Sequence, residues 1–430
     1  MTAEPTPSAL EWPRLPHLDD ASSPIITAVR TFVTAPDGIN LIVTRIETNQ
    51  PGLYGLGCAT FTQRAQAVRL AVDEYLAPQL IGRGAADLPD IHASLHVSAY
   101  WRNGPIMNNA LSGVDIALWD LLGKSAGLPV WQLLGGRARI AVPAYAHAGG
   151  GTVEQAVADA IRLRAEGFRH IRLQSGVAGS AGYGAAGGGA GAKLDNRHQL
   201  LPAPFEAQRY IRTVVDLLAA ARDALGDDVE LIHDVHSRLT PSEAVQLAKA
   251  VEPFRLFFLE DPLAIEDLGW LPRLRSQTSV PIGIGELFTH RAEYVPLLRD
   301  GLIDFVRCHV SAIGGLTPAR TVAAAAELFG VQTAWHGPGD VSPVGHAANI
   351  ALGIASPNTG VQERHTFGDR AKEVFPGTPE ARDGYLWPWT APGFGVDFVE
   401  AEALRYPALA PLTTEGWTQL RRPDGTALKP

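Results

Sequence analysis

The chain has 430 residues, of which 46% are hydrophobic, and a formal net charge of −9 at pH 7. This length fits a barrel of about 250 residues with additional segments. The negative charge argues against a nucleic-acid partner or an anionic membrane surface, and no apolar run approaches the roughly 18 residues of a membrane span. The two cysteines, Cys58 and Cys308, are far apart in sequence, which excludes a disulfide scaffold and favours a reducing, cytoplasmic location.

The first part of the chain predicts a tail followed by a small α+β domain. Residues 1–23 are rich in proline and acidic residues and lack the basic and apolar regions of a signal peptide, so we expect an N-terminal tail. Between residues 24 and 136, β-branched runs separated by Asp-Gly and Pro-Gly pairs predict an antiparallel meander. Helical periodicity follows, and the last helix is expected to end at Gly127.

From residue 137 to 369 the pattern changes to alternating strands and helices. This alternation predicts a parallel sheet, and eight strands predict its closure into a barrel. Helices are expected to start at Thr152, Thr240 and Thr317, each followed by residues typical of a first helical turn. The eight strand-like runs are VPAYAHA, HIRLQ, LIHDVH, LFFLE, PIGIGE, DFVRCHV, QTAWHG and GVQERH.

Two stretches depart from this rhythm. Residues 175–204 are rich in glycine and alanine and show no periodicity. We expect them to form a loop that covers the end of the barrel where the second strand finishes. Residues 370–430 are rich in proline and aromatic residues, and we expect them to pack back on the first domain.

Three carboxylates follow successive apolar runs of the predicted barrel. Asp234, Glu260 and Glu286 are separated by equal intervals of 26 residues, from 234 to 260 and from 260 to 286. About 26 residues is the length of one strand, one helix and two short connections, so the three side chains are expected at the same end of neighbouring parallel strands. Barrel enzymes keep their chemistry at that end.

Such a ring of acids requires a compensating charge. Two like charges about 4 Å apart repel by about 4 kcal/mol at an effective dielectric of about 20. A divalent cation removes the repulsion, and ligation by carboxylate oxygens selects Mg²⁺ or Mn²⁺ over zinc. The alternative is three unrelated surface acids, or acids paired with arginine. It is plausible for any one of the residues but does not explain their equal spacing.

Other polar residues fall at or near strand ends of the same barrel. His236 lies two residues after Asp234, and alternation along a strand would point both side chains the same way. Arg172 lies on the second strand and Tyr183 in the loop beyond it. A tyrosine beside a guanidinium has a lowered pKa and can act as a base. Each has a structural alternative, with His236 as a hydrogen-bonded strand-end histidine and Tyr183 as a loop anchor.

Three further candidates end other strands. His147 ends the first strand, His336 the seventh and Glu363 the eighth. At these positions, His336 and Glu363 are candidates for binding substrate hydroxyls or for transferring a proton.

With these residues in place, the chain resembles the enolase superfamily. The resemblance is carried by the run NNALSGVDIALWDLLGKSAGLPVWQLLGG at 108–136, together with the three carboxylates and the strand-rich start. It implies an α+β capping domain at 24–136 and a modified (β/α)7β barrel at 137–369, with the C-terminal segment 370–430 packed on the capping domain. It also implies enzymes in which Mg²⁺ stabilises an ene-diolate.

Within the superfamily, the chain is similar to the mannonate dehydratase subgroup. Arg172 stands where racemase-like members carry Lys-x-Lys, while AYWRNGP at 99–105, HDVH at 233–236, WHG at 335–337 and QE at 362–363 fit the subgroup. The resemblance implies that the three acids bind one Mg²⁺ per subunit. These ligands are Asp234, Glu260 and Glu286.

The same resemblance implies roles for the remaining candidates. Tyr183, assisted by Arg172, takes the proton α to the substrate carboxylate, and His236 protonates the departing 3-hydroxyl. The residues implied to hold the sugar acid are Asn40, His147, His336 and Glu363. The expected reaction converts D-mannonate or D-gluconate into 2-keto-3-deoxy-D-gluconate, and the expected assembly is a homo-oligomer, either a tetramer or an octamer.

Three features of the sequence indicate altered specificity or activity relative to that subgroup. Pro338 follows His336-Gly337 where efficient mannonate dehydratases have alanine, the ending DGTALKP lacks the tryptophan that closes their pocket, and the predicted loop is unusually glycine-rich. One alternative is therefore a low-activity or non-catalytic, metal-binding regulatory relative of the starvation-sensing type. Another is a dehydratase or epimerase that acts on a different sugar acid.

Overall fold

The computed structural model describes residues 23–176, 205–410 and 422–426. The predicted N-terminal tail, apart from its last residue, lies outside these ranges. So does most of the predicted glycine-rich loop, including Tyr183.

The first part of the described chain is a three-stranded antiparallel sheet with helices packed against it. The strands, in the order β1-β2-β3, are β1 (Ile26–Thr34), β2 (Leu41–Thr48) and β3 (Tyr54–Cys58). The helices are α1 (Ala65–Leu70), α2 (Leu88–His96), α3 (Pro105–Ala126) and α4 (Val130–Leu133), with a π-helical stretch at Ala71–Leu76 and 3₁₀ turns at Thr62–Arg64 and Ala77–Gln79. As predicted, α3 ends at Gly127, which has the left-handed φ of 67°.

The long helix α3 lies directly on β3 because glycines remove the side chains between them. A Cβ added to Gly57 would lie 1.9 Å from the carbonyl oxygen of Gly113. The backbones of strand and helix are therefore in contact, and neither position has room for a side chain.

The second part is a closed barrel of parallel strands. The strands are β4 (Val142–Gly150), β5 (His170–Ser175), β6 (Glu230–Asp234), β7 (Phe258–Glu260), β8 (Ile282–Ile284), β9 (Phe305–Val306), β10 (Gln332–Thr333) and β11 (Gln362–Glu363). Each strand from β4 to β9 pairs with the next, and β11 pairs with β4. An isolated bridge between Thr333 on β10 and Thr359, three residues before β11, closes the ring.

A helix follows each of the first seven barrel strands. These helices are α5 (Val153–Ala165), α6 (Ala207–Leu225), α7 (Pro241–Val251), α8 (Leu271–Arg275), α9 (Arg291–Arg299), α10 (Leu316–Leu328) and α11 (Pro343–Ala355), with 3₁₀ turns at Glu252–Phe254 and Ile265–Trp270. The predicted (β/α)7β barrel with a separate α+β domain is thus confirmed.

The predicted helix starts agree with the structure at two of three positions. The Thr152 hydroxyl accepts a hydrogen bond from Gln155 N, and Thr240 forms a complete capping box with Glu243. The prediction for Thr317 is displaced by one residue, because α10 begins at Leu316 after Gly315. The Thr317 hydroxyl instead accepts a hydrogen bond from Trp119 Nε1 at 3.0 Å.

The barrel interior is filled by an apolar layer beneath its carboxyl-terminal mouth. Ile232 and Phe258 lie two residues before Asp234 and Glu260 on the same strands, so they face the same way as those acids but deeper in the barrel. The buried members of this layer are Tyr145, Ile232, Phe258, Phe305, Ala334 and Val361. This apolar layer lowers the local dielectric constant, so the charges above it interact more strongly.

The C-terminal segment contacts both sheets. Its elements are α12 (Asp369–Val374), β12 (Ala381–Arg382), β13 (Tyr385–Leu386) and α13 (Glu400–Ala403). Strand β13 pairs antiparallel with the start of β4. At the end of β1, the Thr34 hydroxyl lies 3.2 Å from Ala403 O and 2.8 Å from Tyr406 O. In the described ranges, no helix combines the length and the apolarity that crossing a membrane requires.

A buried carboxylate joins the C-terminal segment to the first domain. Asp120 on α3 accepts hydrogen bonds from Leu56 N at 2.9 Å and Phe394 N at 2.8 Å, and it lies 2.7 Å from Lys124 Nζ. We expect Asp120→Ala to lower the free energy of unfolding by about 3 kcal/mol, because two backbone donors and one cation lose their partner. Urea denaturation followed by circular dichroism measures this change.

The matched control is Asp227→Ala, which removes a carboxylate from a solvent-exposed pair with Arg255. Exposed ion pairs contribute little, so this variant should unfold at the same urea concentration as the wild type. Equal effects of the two substitutions would contradict a role for Asp120 as a buried joint.

Candidate active site

The three predicted strand-end acids meet at the carboxyl-terminal mouth of the barrel. Asp234 and Glu260 are the last residues of β6 and β7, pair in register across the two strands, and are fully buried. Glu286 lies two residues beyond β8, and its side chain is 9% exposed. The fold therefore places these acids at one mouth, as their spacing predicts.

A fourth acid, which the sequence analysis missed, joins this group. Carboxylate oxygens of Asp234, Glu260 and Asp261 all lie within 4.8 Å of one another. Burial and the neighbouring charges of Glu286 and Asp234 raise the pKa of Asp261. Its signal in the sequence was its position directly after Glu260, in the pair Glu-Asp.

Two buried arginines separate the acids. Arg172 Nη1 lies 3.3 Å from Asp234 and 3.3 Å from Glu260, and its Nη2 lies 3.1 Å from His147 Nδ1. Arg307, directly after β9, was not predicted as a site residue. It donates a hydrogen bond to Glu260. The sequence did contain a signal for Arg307, namely an arginine within the apolar run DFVRCHV. A charge in a buried strand needs a partner of opposite charge, which indicates a polar site nearby.

Arg307 also reaches other sides of the ring. It donates hydrogen bonds to the Tyr145 hydroxyl at 2.9 Å and to Glu363 Oε2 at 3.2 Å. The surrounding carboxylates raise the pKa of Arg307 against the lowering effect of burial, so this guanidinium stays charged.

The balance of charge in the ring leaves room for a cation. Five acids face two arginines here, and burial raises the pKa of Glu260 well above its ordinary value. Among the described residues, Glu260 Oε2 is buried with no hydrogen-bond partner. The acids are Asp234, Glu260, Asp261, Glu286 and Glu363. An all-oxygen donor set with surplus negative charge and an unpaired buried oxygen fits a hard divalent cation such as Mg²⁺.

Two of the three predicted histidines, His336 and His147, differ in charge. Burial lowers the pKa of His336, but the charge and hydrogen bond of Glu286, 3.1 Å from Nδ1, and the charge of Glu363 raise it to about 9. Burial and the charge of Arg172 lower the pKa of His147 to about 4. The neutral His147 ring therefore accepts from Arg172 at Nδ1 and presents Nε2–H to Glu363 Oε1 at 2.9 Å.

His236 reaches the ring for a different reason from the predicted one. Strand β6 ends at Asp234, so alternation along a strand does not orient His236. Instead, His236 and Ser237 have left-handed φ values of 55° and 61°, and the backbone N–H of His236 donates to Asp234 Oδ1 at 2.7 Å. This turn brings His236 Nε2 to 3.5 Å from Glu286 Oε1. Burial lowers the pKa of His236.

The remaining predicted sugar-binding residue, Asn40, engages the C-terminal segment. Its amide oxygen accepts from Leu409 N at 2.8 Å, and its amide nitrogen lies 3.4 Å from Leu409 O. Both ends of the amide are thereby used, and contact between Asn40 and a sugar acid stays a prediction, as does the role of Tyr183.

Comparison with known families agrees with this architecture. Residues 15–135 match the mandelate racemase/muconate lactonizing enzyme N-terminal domain, and residues 155–402 match the enolase C-terminal domain-like family. The chain belongs to the enolase superfamily. The family predicted from the sequence is thus confirmed.

Relatives and neighbours in this superfamily narrow the enzyme class. A D-galactonate dehydratase family member from Musicola paradisiaca is 51% identical over 415 residues, which are 94% of this chain and 99% of the relative. A member from Catenulispora acidiphila is 51% identical over 400 residues, covering 93% and 92% of the two chains. This chain is therefore an acid-sugar dehydratase, a carbon–oxygen lyase, as predicted.

A solved structure shows the same fold. The crystal structure of an enolase from Pantoea ananatis with bound D-gluconate and Mg has a TM-score of 0.89 and 48% identity, covering 95% of this chain and 100% of that chain. The Mg in that neighbour agrees with the predicted cofactor. The predicted assignment to the mannonate dehydratase subgroup stays a prediction, because the relatives carry the D-galactonate dehydratase name.

The ring contains two candidate sets of metal ligands, which differ in whether the third ligand is Glu286 or Asp261. A pair of variants distinguishes between them. Asp261 Oδ1 accepts from Gly285 N at 3.3 Å, directly before Glu286, so we expect Asp261 to position Glu286 and Glu286 to bind the metal. Titration with Mn²⁺ followed by electron paramagnetic resonance should show Glu286→Gln weakening binding by more than about 100-fold. Asp261→Asn should weaken binding by only about tenfold, the range for outer partners of a metal site.

Both substitutions replace a carboxylate with the amide of the same shape, so the comparison controls for side-chain size. A greater loss in Asp261→Asn than in Glu286→Gln would contradict the predicted set. The metal would then bind the buried group of Asp234, Glu260 and Asp261 instead.

Proposed function

We propose that this protein is a Mg²⁺-dependent dehydratase that acts on D-mannonate or D-gluconate. It removes the C2 proton and the 3-hydroxyl, and the resulting enol tautomerises to 2-keto-3-deoxy-D-gluconate. The observation that carries the proposal is the buried ring of acids with Arg172 on one side and His236 on the other. The neighbour from Pantoea ananatis, with its D-gluconate and Mg, supports the same class of ligand.

The acids at the ends of β6 and β7, together with Glu286, would hold the metal. When bound, Mg²⁺ supplies Lewis-acid stabilisation of the negative charge that develops at the substrate carboxylate as the C2 proton leaves, worth several kcal/mol. The protein fixes the donors in advance, since Asp234 and Glu260 are fully buried and held by Arg172 and Arg307. Such preorganised charges act strongly in a site that excludes water.

Proton abstraction is assigned to Tyr183, assisted by Arg172. Arg172 is 2% exposed and fixed on β5, between the acids and His147. A buried guanidinium favours a nearby phenolate and so lowers the pKa of a tyrosine that approaches it. Tyr183 comes from the glycine-rich stretch that leaves the end of the same strand, which supports this assignment.

Protonation of the leaving hydroxyl is assigned to His236. A hydroxyl departs readily only as water, so an acid must stand near the 3-hydroxyl. The left-handed turn after β6 holds the His236 backbone on Asp234 and its ring beside Glu286, next to the place where the metal-held carboxylate of the substrate would lie. His147, His336, Glu363 and Asn40 are proposed to hold the rest of the sugar acid.

A panel of acid sugars tests the reaction. We expect the protein with Mg²⁺ to produce a 2-keto acid, detected as its semicarbazone, from D-mannonate or D-gluconate. D-Galactonate belongs in the panel, because relatives carry that name. A keto acid from D-galactonate alone would contradict the proposed substrate. The absence of keto acid from every sugar would contradict dehydration and favour the binding or regulatory alternative.

Substitutions of the two assigned proton-transfer residues should impair different steps of the reaction. In D₂O, His236→Gln should still exchange the C2 proton of the substrate for deuterium, because Tyr183 remains, while keto-acid formation falls by at least about 100-fold. Tyr183→Phe should lose both exchange and dehydration. Proton NMR of recovered substrate and the keto-acid assay measure the two steps.

Metal titration is the control for both variants, which should bind Mn²⁺ nearly as tightly as the wild type. Loss of exchange in His236→Gln with normal metal binding would show that His236, not Tyr183, is the base. Full dehydration by Tyr183→Phe would remove Tyr183 from the mechanism.

A further inference from the structure

His309 is a buried histidine beside the active site that has no role in the mechanism above. It lies three residues beyond β9, in a loop that the first domain covers. Asn108 on α3 donates to Ala312 O at 2.7 Å, and Ser311 Oγ lies 3.3 Å from Cys58 O. His309 is only 9% exposed. Its ring centroid is 5.2 Å from that of His336.

One hydrogen bond determines which ring nitrogen of His309 carries the proton. The backbone N–H of Ala312 lies 3.1 Å from His309 Nδ1. A backbone N–H can only donate, so Nδ1 must present its lone pair. In the neutral ring, the proton is then on Nε2. Burial and the positive charge of His336 lower the pKa of His309 to about 3, which agrees with a neutral ring.

The Nε2–H of His309 is therefore a fixed donor without a protein acceptor in the described ranges. The contacts there give it no hydrogen bond, and no carboxylate of those ranges lies within 4.0 Å of the ring nitrogens. Because the ring stands next to His336 at the barrel mouth, a ligand in the mouth is the natural source of the acceptor.

We propose that His309 is a substrate-binding residue whose Nε2–H donates a hydrogen bond to one hydroxyl oxygen of the sugar acid. This inference rests on the proposed function. A neutral donor suits a hydroxyl oxygen, whereas the carboxylate of the substrate is matched by the cation and arginines of the ring. A site that binds a particular hydroxyl in this way rejects substrates that lack it, so His309 contributes to the choice of sugar acid.

Two amide substitutions separate this role from a purely structural one. In His309→Gln, the amide nitrogen can reach the position of Nε2 and keep the donor, while the bond to Ala312 is lost. In His309→Asn, the amide oxygen can occupy the position of Nδ1 and keep that bond, while the donor to the ligand is lost. The two variants therefore retain opposite halves of the imidazole's contacts.

We expect His309→Asn to raise the Kd for D-gluconate, measured by calorimetry in the presence of Mg²⁺, by about tenfold with an unchanged melting temperature. His309→Gln should keep the Kd within about threefold of the wild type, even with a lower melting temperature. The reverse order, with tighter binding in His309→Asn than in His309→Gln, would show that the ring only supports the loop and would overturn the proposal.

Monodeoxy gluconates identify the hydroxyl. The analogue that lacks the bound hydroxyl should lose affinity for the wild type but not for His309→Asn, since that interaction is already absent. Equal losses in the wild type and the variant for every analogue would also overturn the proposal. Wild-type protein that binds D-gluconate without forming keto acid would reject the proposed reaction, yet the Kd ratio would still decide the role of His309. Binding of no sugar acid would overturn both.

Discussion

The structure depends on balancing the mutual repulsion of several carboxylates that are buried at one mouth of the barrel. Parallel strands that end at the same level put Asp234 and Glu260 side by side, with no water to screen them. Arg172 and Arg307 cross this group from β5 and from the end of β9, and each touches acids from more than one strand. The arginines thus connect strands that the backbone ladder does not pair, and still leave negative charge for a cation.

Glu363 occupies the centre of this arrangement. Its carboxylate lies within 3.6 Å of donors from every side of the mouth, namely His147 at 2.9 Å, Arg307 at 3.2 Å, His336 at 3.5 Å, Arg172 at 3.6 Å and Gly337 N at 2.8 Å. These donors surround both of its oxygens, so a sugar hydroxyl would have to compete with them. We infer that Glu363 also fixes the two histidines, in addition to its proposed contact with the sugar acid.

Sequence reasoning found the parts of the site that depend on local pattern. The equal spacing of Asp234, Glu260 and Glu286 follows from repeated βα units. It can therefore be recognised in the sequence without knowledge of tertiary contacts. Arg307 and His309 were missed because each stands alone in its strand or loop. Their partners come from strands up to 162 residues away, as with Tyr145 and Arg307. Only barrel closure brings those partners together, and no spacing in the sequence records it.

Two other differences have local causes. The position of His236 was predicted from strand alternation, but β6 ends at Asp234. A left-handed turn after the strand orients His236 instead. Non-glycine residues enter that conformation only when surrounding contacts enforce it, here the bond to Asp234. Asn40 was assigned to the sugar through family resemblance, whereas its amide holds Leu409. This contact anchors the C-terminal segment against the start of β2, and contact between Asn40 and the sugar acid stays a prediction.

The division of labour in the mouth suggests how one metal ring serves different sugar acids. In the proposed mechanism, the acids hold the cation, and the cation and the arginines bind the carboxylate that every sugar acid presents. These groups therefore carry no information about the hydroxyl configuration. That information must come from neutral donors and acceptors farther along the chain of the ligand, where a wrong configuration leaves a buried group unpaired. His309 meets this condition: its donor is fixed by the backbone of Ala312, and its loop is held by Asn108 of the first domain. Under this proposal, the first domain influences the substrate choice of the barrel, because Asn108 holds the loop whose histidine donates to one hydroxyl.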